Sequence, residues 1–201
     1  DGEGLTVFNT ASNKVKYYNE KHHNTEIKGN YIQKITETKD GILWLGTFKN
    51  GLVKFNRKTE QFVQYKHKFE NKSSISYDDV RDIIEDKDHN LWIATWGGGL
   101  NYFDTKTEKF VSYRESSNNN KTINNDNLID MVQDGDKIWI ATFGGGLNVF
   151  DTKKESFSYY KYKDSDVNTI SNNNIFSLYK DSKGNLWIGT AGGGINRMNL
   201  K

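Results

Sequence analysis

The sequence predicts an all-β protein assembled from repeated four-stranded antiparallel sheets. Four segments of the 201-residue chain align on tryptophans separated by 48, 47 and 48 residues, namely Trp44, Trp92, Trp139 and Trp187. Each repeat holds four short runs rich in β-branched and aromatic residues, and no stretch shows the 3.6-residue apolar period of an amphipathic helix. Four antiparallel strands every ~40–50 residues are typical of one blade of a β-propeller.

The second complete repeat shows how each strand is predicted. Its four extended runs cover residues 80–85, 91–95, 100–103 and 109–113. Between them lie polar or glycine-rich segments at residues 86–90, 97–99 and 104–108. Asp and Asn favour tight turns because their side-chain oxygens accept backbone N–H groups two residues on, and glycine tolerates the positive φ that hairpins require.

Counting runs along the chain gives the predicted domain organisation. One propeller domain or propeller segment covers residues 1–201, with a repeat of about 48 residues and about four blades. The repeat units are 1–18 (partial), 32–65, 80–113, 128–160 and 175–199 (partial). In one closure, the last unit borrows residues 14–18 as its outer strand. In the other, which we favour, the chain is an arc of a larger ring, such as a seven-bladed ring of roughly 330 residues.

Composition excludes several classes of function. Aromatic residues make up 13% of the chain, more than a disordered protein would carry. The chain has no cysteine, which removes disulfides, thiolate metal sites and cysteine catalysis. Lys and Arg number 28 against 26 Asp and Glu, a balance that predicts no nucleic-acid partner and no contact of this segment with a membrane.

No metal or cofactor is expected. The histidines show no ligand spacing, and they are His22, His23, His67 and His89. The Gly-Gly-Gly-Leu segments join two strands and lack the following helix that a phosphate-binding loop needs. The N-terminus carries no signal peptide, and since it begins at Asp we expect a mature or excised segment of a longer protein.

Strand alternation assigns the loops to two faces. The turns between second and third strands share one face with the links between units, and we call this the triplet face because it holds the glycine triplets. The links cover residues 71–79, 116–127 and 164–174. Because binding residues concentrate on variable loops held by a rigid scaffold, ligand contacts are predicted on the triplet face.

Two kinds of aromatic position recur. The four strand tryptophans occupy identical positions in every unit, so they are predicted to fill the wedge between adjacent sheets. The residue just before each triplet varies, and the series is Phe48, Trp96, Phe143 and Ala191. These side chains are candidates for ligand contact, with packing as the alternative. Trp96 is the strongest of them because it is a fifth tryptophan outside the repeat.

Polar residues early on the innermost strand form a second candidate group: Lys34, Arg81, Asp82, Asp130 and Ser177. Carboxylates and guanidinium groups beside an aromatic platform suit sugar hydroxyls, but we favour a solvated channel lining as their explanation. Asparagines also cluster in the links, at Asn118–Asn120, Asn124, Asn125, Asn127 and Asn172–Asn174. They are able to bond a saccharide, but we favour turn formation, for which Asn is well suited.

The repeat as it stands over residues 175–199 resembles the two-component regulator propeller repeat. The shared features are the turn and strand at 181–190, which read Asp-Ser-Lys-Gly-Asn-Leu-Trp-Ile-Gly-Thr, and the following glycine triplet. The first unit departs from it with Lys49-Asn50-Gly51, and the third shortens its turn at residues 133–137. The resemblance implies the extracytoplasmic, periplasmic sensor region of a bacterial hybrid two-component system, of the kind that senses oligosaccharides in gut Bacteroidetes.

The sequence therefore leaves three functions in order of preference. The first is a non-catalytic ligand sensor with an oligosaccharide as partner, as the resemblance implies. The second is an interaction scaffold whose partner is a second copy or further blades of the same receptor. The third is a polysaccharide hydrolase or lyase with Asp82 and Asp130 as acid and base, which a separation of roughly 5–10 Å would allow.

Overall fold

The structure is a computed structural model that describes residues 4–19, 31–116 and 122–200. The described residues form seventeen β-strands in five antiparallel sheets, here called blades 1 to 5. Blade 1 consists of β1 (Leu5–Asn9) and β2 (Lys14–Tyr18). Blade 2 consists of β3 (Ile32–Glu37), β4 (Ile42–Thr47), β5 (Leu52–Asn56) and β6 (Gln61–Tyr65). In these residues no helix is long and apolar enough to cross a membrane.

Blades 3 and 4 are complete and blade 5 has three strands. Blade 3 consists of β7 (Val80–Glu85), β8 (Leu91–Thr95), β9 (Gly99–Asp104) and β10 (Lys109–Tyr113). Blade 4 consists of β11 (Leu128–Asp134), β12 (Lys137–Thr142), β13 (Leu147–Asp151) and β14 (Ser156–Tyr160). Blade 5 consists of β15 (Ile175–Lys180), β16 (Asn185–Thr190) and β17 (Gly194–Asn199). The predicted all-β fold with four-stranded antiparallel units is confirmed.

The blades stand side by side around their first strands. Strand β7 lies against β3 on one side and against β11 on the other, and β11 in turn lies against β15. Within each complete blade the strands pair in chain order, from the first strand outwards. The first strands are therefore the inner strands of a propeller, and the loops at their ends surround the axis.

The hydrophobic core is distributed between blades. The Trp44 ring of blade 2 meets Phe103 of blade 3 edge-on, with ring centroids 5.5 Å apart. The Trp92 ring of blade 3 contacts Phe150 of blade 4 in the same way at 5.2 Å. Trp139 packs among the buried aliphatic side chains of blade 5. These three tryptophans fill the wedges between sheets, whereas Trp187 in blade 5 is half-buried.

The two ends of the chain do not pair with each other. Among the described strands, β2 pairs only with β1, and β17 pairs only with β16. Blade 1 instead packs Leu5 and Tyr18 against blade 2 through Leu45, Val53 and Phe55. The closure in which residues 14–18 complete the last blade is therefore not formed, and the described blades follow one another as an arc.

In the complete blades, the glycine where the third strand begins is a geometric requirement. Gly99 has a φ of 70°, and a Cβ there would lie 2.4 Å from the carbonyl oxygen of Tyr113. Gly146 has a φ of 77°, and a Cβ there would lie 2.3 Å from the carbonyl oxygen of Tyr160. The third and fourth strands approach so closely here that only glycine fits.

Candidate functional site

A row of aromatic rings crosses the triplet face from blade 3 to blade 5. Trp96 and Phe143 follow the second strands of blades 3 and 4, and their ring centroids lie 5.5 Å apart. Phe143 in turn meets Phe176 of blade 5 at 6.0 Å. Phe143 is 38% exposed and Phe176 is 52% exposed, and Trp96 is half-buried. We call these three residues the aromatic row.

The position of the aromatic row is fixed by backbone pairing. Trp96 forms an isolated antiparallel bridge with Asn127, and Phe143 forms one with Asn174. Each bridge joins the end of a second strand to the link that enters the next blade. Residues that vary between repeats are therefore held on the backbone of adjacent blades, which gives the exposed rings a rigid support.

Arg81 lies at the blade 3 end of the aromatic row. Its guanidinium carbon is 5.0 Å from the centre of the Trp96 ring. The guanidinium is held by Asp79, with Nη2 donating to Oδ2 at 2.9 Å and Nε lying 2.9 Å from Oδ1. Asp79 is only 3% exposed and also accepts from Gln33 Nε2 of blade 2 at 2.6 Å. The cation is thus fixed in place against the Trp96 face.

A β-bulge in each inner strand explains why Arg81 and Phe176 reach this face. The register of the inner strand shifts between Val80 and Asp82 in blade 3 and between Ile175 and Ser177 in blade 5. The inserted residues are Arg81 and Phe176. Bulges re-aim side chains next to binding sites. Strict alternation along the strand gives no sign of a bulge, so Phe176 was missed as a site residue in the sequence.

Phe48 belongs to a separate cluster in blade 2. Its ring meets Tyr31 edge-on at 6.2 Å, and the Lys49 ammonium lies 4.8 Å from the ring centre. Among the described residues, Phe48 makes no ring contact with Trp96. Ala191 supplies no ring in blade 5, where Phe176 takes up the contact with Phe143 instead. The four positions before the triplets therefore do not form one surface.

Asp82 is an interior residue, and both of its carboxylate oxygens accept hydrogen bonds. It is 1% exposed. Its Oδ2 accepts the Met131 N–H of blade 4 at 2.8 Å, and its Oδ1 accepts the Ile83 N–H at 2.8 Å. The Lys34 ammonium of blade 2 lies 2.7 Å from the same Oδ1. Burial opposes the charge on Lys34, but the hydrogen bond and the charge of Asp82 outweigh it and raise the Lys34 pKa.

Asp130 repeats this arrangement one blade further on. Its Oδ2 accepts the Leu178 N–H of blade 5 at 2.7 Å, and its Oδ1 accepts the Met131 N–H at 3.0 Å. Burial, and after it the negative charge of Asp82, raise the pKa of Asp130 to about 6. The carboxylates of Asp82 and Asp130 are directed at the backbone of the next blade.

A set of asparagines that the sequence reasoning missed holds the links in place. Asn101 is fully buried; its Oδ1 accepts the Ser76 N–H at 2.9 Å and its Nδ2 donates to Ser76 Oγ at 2.8 Å. The same clamp recurs as Asn148 with Asn124 and as Asn196 with Ser171. The signal was present in the sequence, because Gly-Leu-Asn or Gly-Ile-Asn begins each of these third strands.

The described link asparagines serve the backbone. Asn125 Oδ1 accepts the Asn127 N–H at 2.7 Å, and Asn173 Oδ1 accepts the Tyr162 N–H at 2.8 Å. Asn172 Nδ2 donates to the Ala191 carbonyl at 2.8 Å. Asn118–Asn120, His22 and His23 lie outside the described residues. Within the described residues, no group of three His, Asp or Glu side chains is arranged to hold a metal ion.

A comparison with protein families assigns the repeat. A family model described as two component regulator propeller matches residues 26–49, 74–97 and 169–192. Each matched stretch contains the first two strands of a blade and ends two residues after the second strand. Three of the repeats of this chain thus match the two-component regulator propeller repeat. The resemblance recognised in the sequence is thereby confirmed.

The unmatched repeat is blade 4, which departs from the two-component regulator propeller pattern in its first turn. In blade 5, Trp187 Nε1 donates to Asp181 Oδ2 at 3.0 Å. Blade 4 has Gln133 six residues before its tryptophan, in a turn that is one residue shorter. Trp139 Nε1 is buried there without a hydrogen-bond partner among the described residues. Blade 4 thus lacks the carboxylate that accepts the tryptophan N–H in blade 5.

Solved structures that are similar to this chain include extracellular domains of bacterial proteins. The extracellular domain of the hybrid two-component system BT3049 from B. thetaiotaomicron is 26% identical, with a TM-score of 0.73 over 86% of this chain and 24% of that one. The extracellular domain of the hybrid two-component system BT4673 from the same organism is 27% identical, with a TM-score of 0.72 over 87% and 24%. This chain spans about a quarter of the length of those structures.

More distant structures share the fold alone. PorZ, a surface component of the type-IX secretion system of Porphyromonas gingivalis, is 12% identical with a TM-score of 0.73 over 98% of this chain and 30% of its own. The computationally designed protein Ika4 is 12% identical with a TM-score of 0.60, over 88% of this chain and 96% of its own. A search of curated proteins returned no match.

Proposed function

We propose that this chain is a ligand-sensing propeller region of a bacterial two-component receptor, that it lies in the periplasm, and that it is not an enzyme. The observation that carries the proposal is the aromatic row, which is exposed on the triplet face and supported by backbone bridges between blades. The likeness to extracellular domains of hybrid two-component systems, at 26% and 27% identity, supports the location and the signalling role.

An oligosaccharide is the ligand that this surface suits best. Three neighbouring rings at 5.5 and 6.0 Å offer apolar faces to successive sugar rings. The Arg81 guanidinium, fixed by Asp79, supplies hydrogen-bond donors at one end of the row. A mainly aromatic surface with a few positioned polar groups is the usual composition of a small-ligand site. Trp96, Phe143, Phe176 and Arg81 are therefore the proposed contact residues.

The acidic pair of the inner strands argues against catalysis. Asp82 and Asp130 accept backbone N–H groups from the blade that follows each of them. Asp82 is almost wholly buried and is paired with Lys34 besides. A glycosidase needs one carboxyl group to protonate the leaving oxygen and a second to act on the sugar or on water. Carboxylates occupied by the scaffold are poorly placed for either task.

Calorimetric titration with a panel of oligosaccharides tests the proposal, on this chain and on the complete receptor ectodomain. Trp96→Ala and Phe143→Ala are expected to weaken binding about tenfold each, because each removes a stacking face. Tyr179→Ala is the matched control, since Tyr179 is an aromatic residue of 67% exposure outside the row. The proposal would be contradicted if the ectodomain bound none of the glycan classes, or if the Trp96→Ala variant bound its ligand as tightly as the wild type.

An interaction scaffold is the second candidate, and exposed apolar side chains on the two end blades favour it. Phe8 in blade 1 is 55% exposed, and Ile195 in blade 5 is 69% exposed. Large apolar side chains on a sheet face are typical of interaction sites. The proposed partners are further blades of the same receptor or a second copy. Sedimentation analysis should show concentration-dependent dimers that Ile195→Asp weakens; a monomer at every concentration would exclude the second copy.

A further inference from the structure

A groove between blades 3 and 4 opens on the face opposite to the triplet face. Its cavity volume is about 660 Å³, within the range of small-molecule sites. The buried Trp92 ring forms its floor. Tyr102 and Tyr113 form walls beside it, with ring centroids 4.7 and 6.0 Å from that of Trp92. Three aromatic rings therefore surround one recess.

The rim of this groove is acidic. Asp86 and Asp88 come from the first turn of blade 3, while Asp136 and Glu155 come from turns of blade 4. Two lysines, Lys87 and Lys153, also line the groove, but they do not neutralise all four acidic side chains. The Lys153 ammonium is already paired with Asp136 at 2.6 Å. Burial, and then the charges of nearby carboxylates, raise the pKa values of Tyr102 and Tyr113. The rings thus lie in a negative field that attracts cations.

The other blades show which side chains pack against the face of the equivalent tryptophan. The residue paired with the tryptophan across the second and third strands is Lys54 in blade 2, Tyr102 in blade 3, Val149 in blade 4 and Arg197 in blade 5. The Lys54 ammonium lies 5.7 Å from the Trp44 ring centre, and the Arg197 guanidinium lies 6.0 Å from that of Trp187. In blades 2 and 5 a cationic side chain of the protein lies over the tryptophan ring, whereas in blade 3 the aromatic ring of Tyr102 packs against it.

We propose that the groove between blades 3 and 4 binds an organic cation, either a small amine or the Lys or Arg side chain of a peptide. The ring faces of Trp92, Tyr102 and Tyr113 attract the positive charge through their quadrupoles. Asp86, Asp88 and Glu155 add the charge attraction that holds an ammonium or guanidinium group at the rim. The site lies on the face opposite to the aromatic row, so it does not depend on the proposed saccharide function.

Choline and its neutral shape analogue 3,3-dimethylbutan-1-ol provide the direct test. Both are titrated into the chain while tryptophan fluorescence and heat are recorded. Choline is expected to bind at least about fivefold more tightly than the alcohol, because the two differ in charge and hardly in shape. Lysine amide acetylated at its α-amine keeps the side-chain ammonium. In the same assay it shows whether a peptide side chain or a small amine is the better ligand. Equal binding of choline and the alcohol, or none of choline at tens of millimolar, would overturn the proposal.

Tyr102→Lys tests the site itself. This variant puts an ammonium over Trp92 as Lys54 does over Trp44, so choline binding should be lost. Tyr102→Phe keeps the ring face and should bind choline within about twofold of the wild type. Phe69→Lys adds the same charge at an 89% exposed position between β6 and β7, outside the residues that line the groove, and should also keep binding. A folded Tyr102→Lys protein, with an unchanged unfolding midpoint, that still binds choline as tightly as the wild type would refute the assignment.

Discussion

The Asp82 carboxylate accepts a hydrogen bond from the backbone N–H of Met131, 2.8 Å away in the inner strand of the next blade. Asp130 makes the equivalent bond to Leu178, one blade further on. On the other side, the Lys34 ammonium of blade 2 pairs with Asp82 at 2.7 Å. Side chains at one repeated position thus connect the inner strands of four successive blades.

Replacement of Asp82 should destabilise the fold. Asp82→Ala removes the shorter of the two hydrogen bonds of the Met131 N–H, which keeps only Asp130 Oδ1, and it removes the charged partner of Lys34, so we expect a loss of about 2–3 kcal/mol in the free energy of unfolding. Chemical denaturation of variant and wild type measures it. Lys34→Met should cost less than Asp82→Ala, because Lys34 is 38% exposed at its side chain. An Asp82→Ala protein as stable as the wild type would show that the bond to Met131 contributes nothing.

The raised pKa of Asp130 predicts a pH dependence of stability. Between about pH 4 and pH 6 the folded protein binds a proton at Asp130 that the unfolded chain releases, since its pKa rises from 3.8 to about 6 on folding. This contribution is fully present below about pH 4 and is lost as the pH rises through 6, with a magnitude of about 2–3 kcal/mol.

Asp130→Asn isolates that contribution. The amide keeps an oxygen for the Leu178 N–H and carries no charge against Asp82. We therefore expect the variant to be more stable than the wild type at pH 7 by about 1–2 kcal/mol and to lose this advantage near pH 4. Unfolding midpoints across the pH range measure the difference between the two profiles. Parallel profiles would contradict the assignment.

The glycine that begins each third strand offers a test with an internal control. Gly99→Ala forces a Cβ to within 2.4 Å of the Tyr113 carbonyl oxygen at a φ of 70°. Gly194 has nearly the same φ, 75°, but the described part of blade 5 has three strands, and nothing lies within 4 Å of the Cβ position of Gly194. Gly194→Ala should therefore cost about 1 kcal/mol and Gly99→Ala clearly more. Equal costs by thermal denaturation would show that the φ alone matters.

The two tryptophans of blade 3 should respond differently to truncation. Trp92 is buried between blades, so Trp92→Ala is expected to cost about 3–5 kcal/mol of stability. Trp96 lies half-buried on the triplet face, and Trp96→Ala should cost about 1 kcal/mol. Denaturation curves of both variants measure this. Severe unfolding of the Trp96 variant would make it a core residue rather than a ligand contact.

Sequence reasoning worked where one repeated residue serves one local purpose. Runs of β-branched and aromatic residues between Asp, Asn and Gly turns specify strands without reference to distant parts of the chain. The predicted run at residues 100–103 is extended in β9 by only one residue at each end, at Gly99 and Asp104. The period of the tryptophans predicted sheets packed side by side, because a bulky residue at a fixed position in each sheet needs a partner surface in the next.

The site was predicted less completely because its residues meet through contacts between blades. The variable positions before the triplets were identified, but Phe48 turns to Tyr31 whereas Trp96 turns to Phe143. Phe176 enters the row through a bulge that alternation does not show. The sequence suggested that Asp82 lines the channel. In the structure it is buried, and it accepts a hydrogen bond from the backbone N–H of Met131, 49 positions further along the chain.

The sequence alone determined the strands, their antiparallel order within each blade and the period at which the blades recur along the chain. These follow from side-chain volume, turn chemistry and periodicity, which act over a few residues. Only the tertiary structure decided which polar groups face solvent and which rings contact each other on the triplet face. It also decided that β2 pairs with β1 rather than with blade 5. Those outcomes depend on which surfaces exclude water when separate blades come into contact, and neighbours along the chain do not define such surfaces.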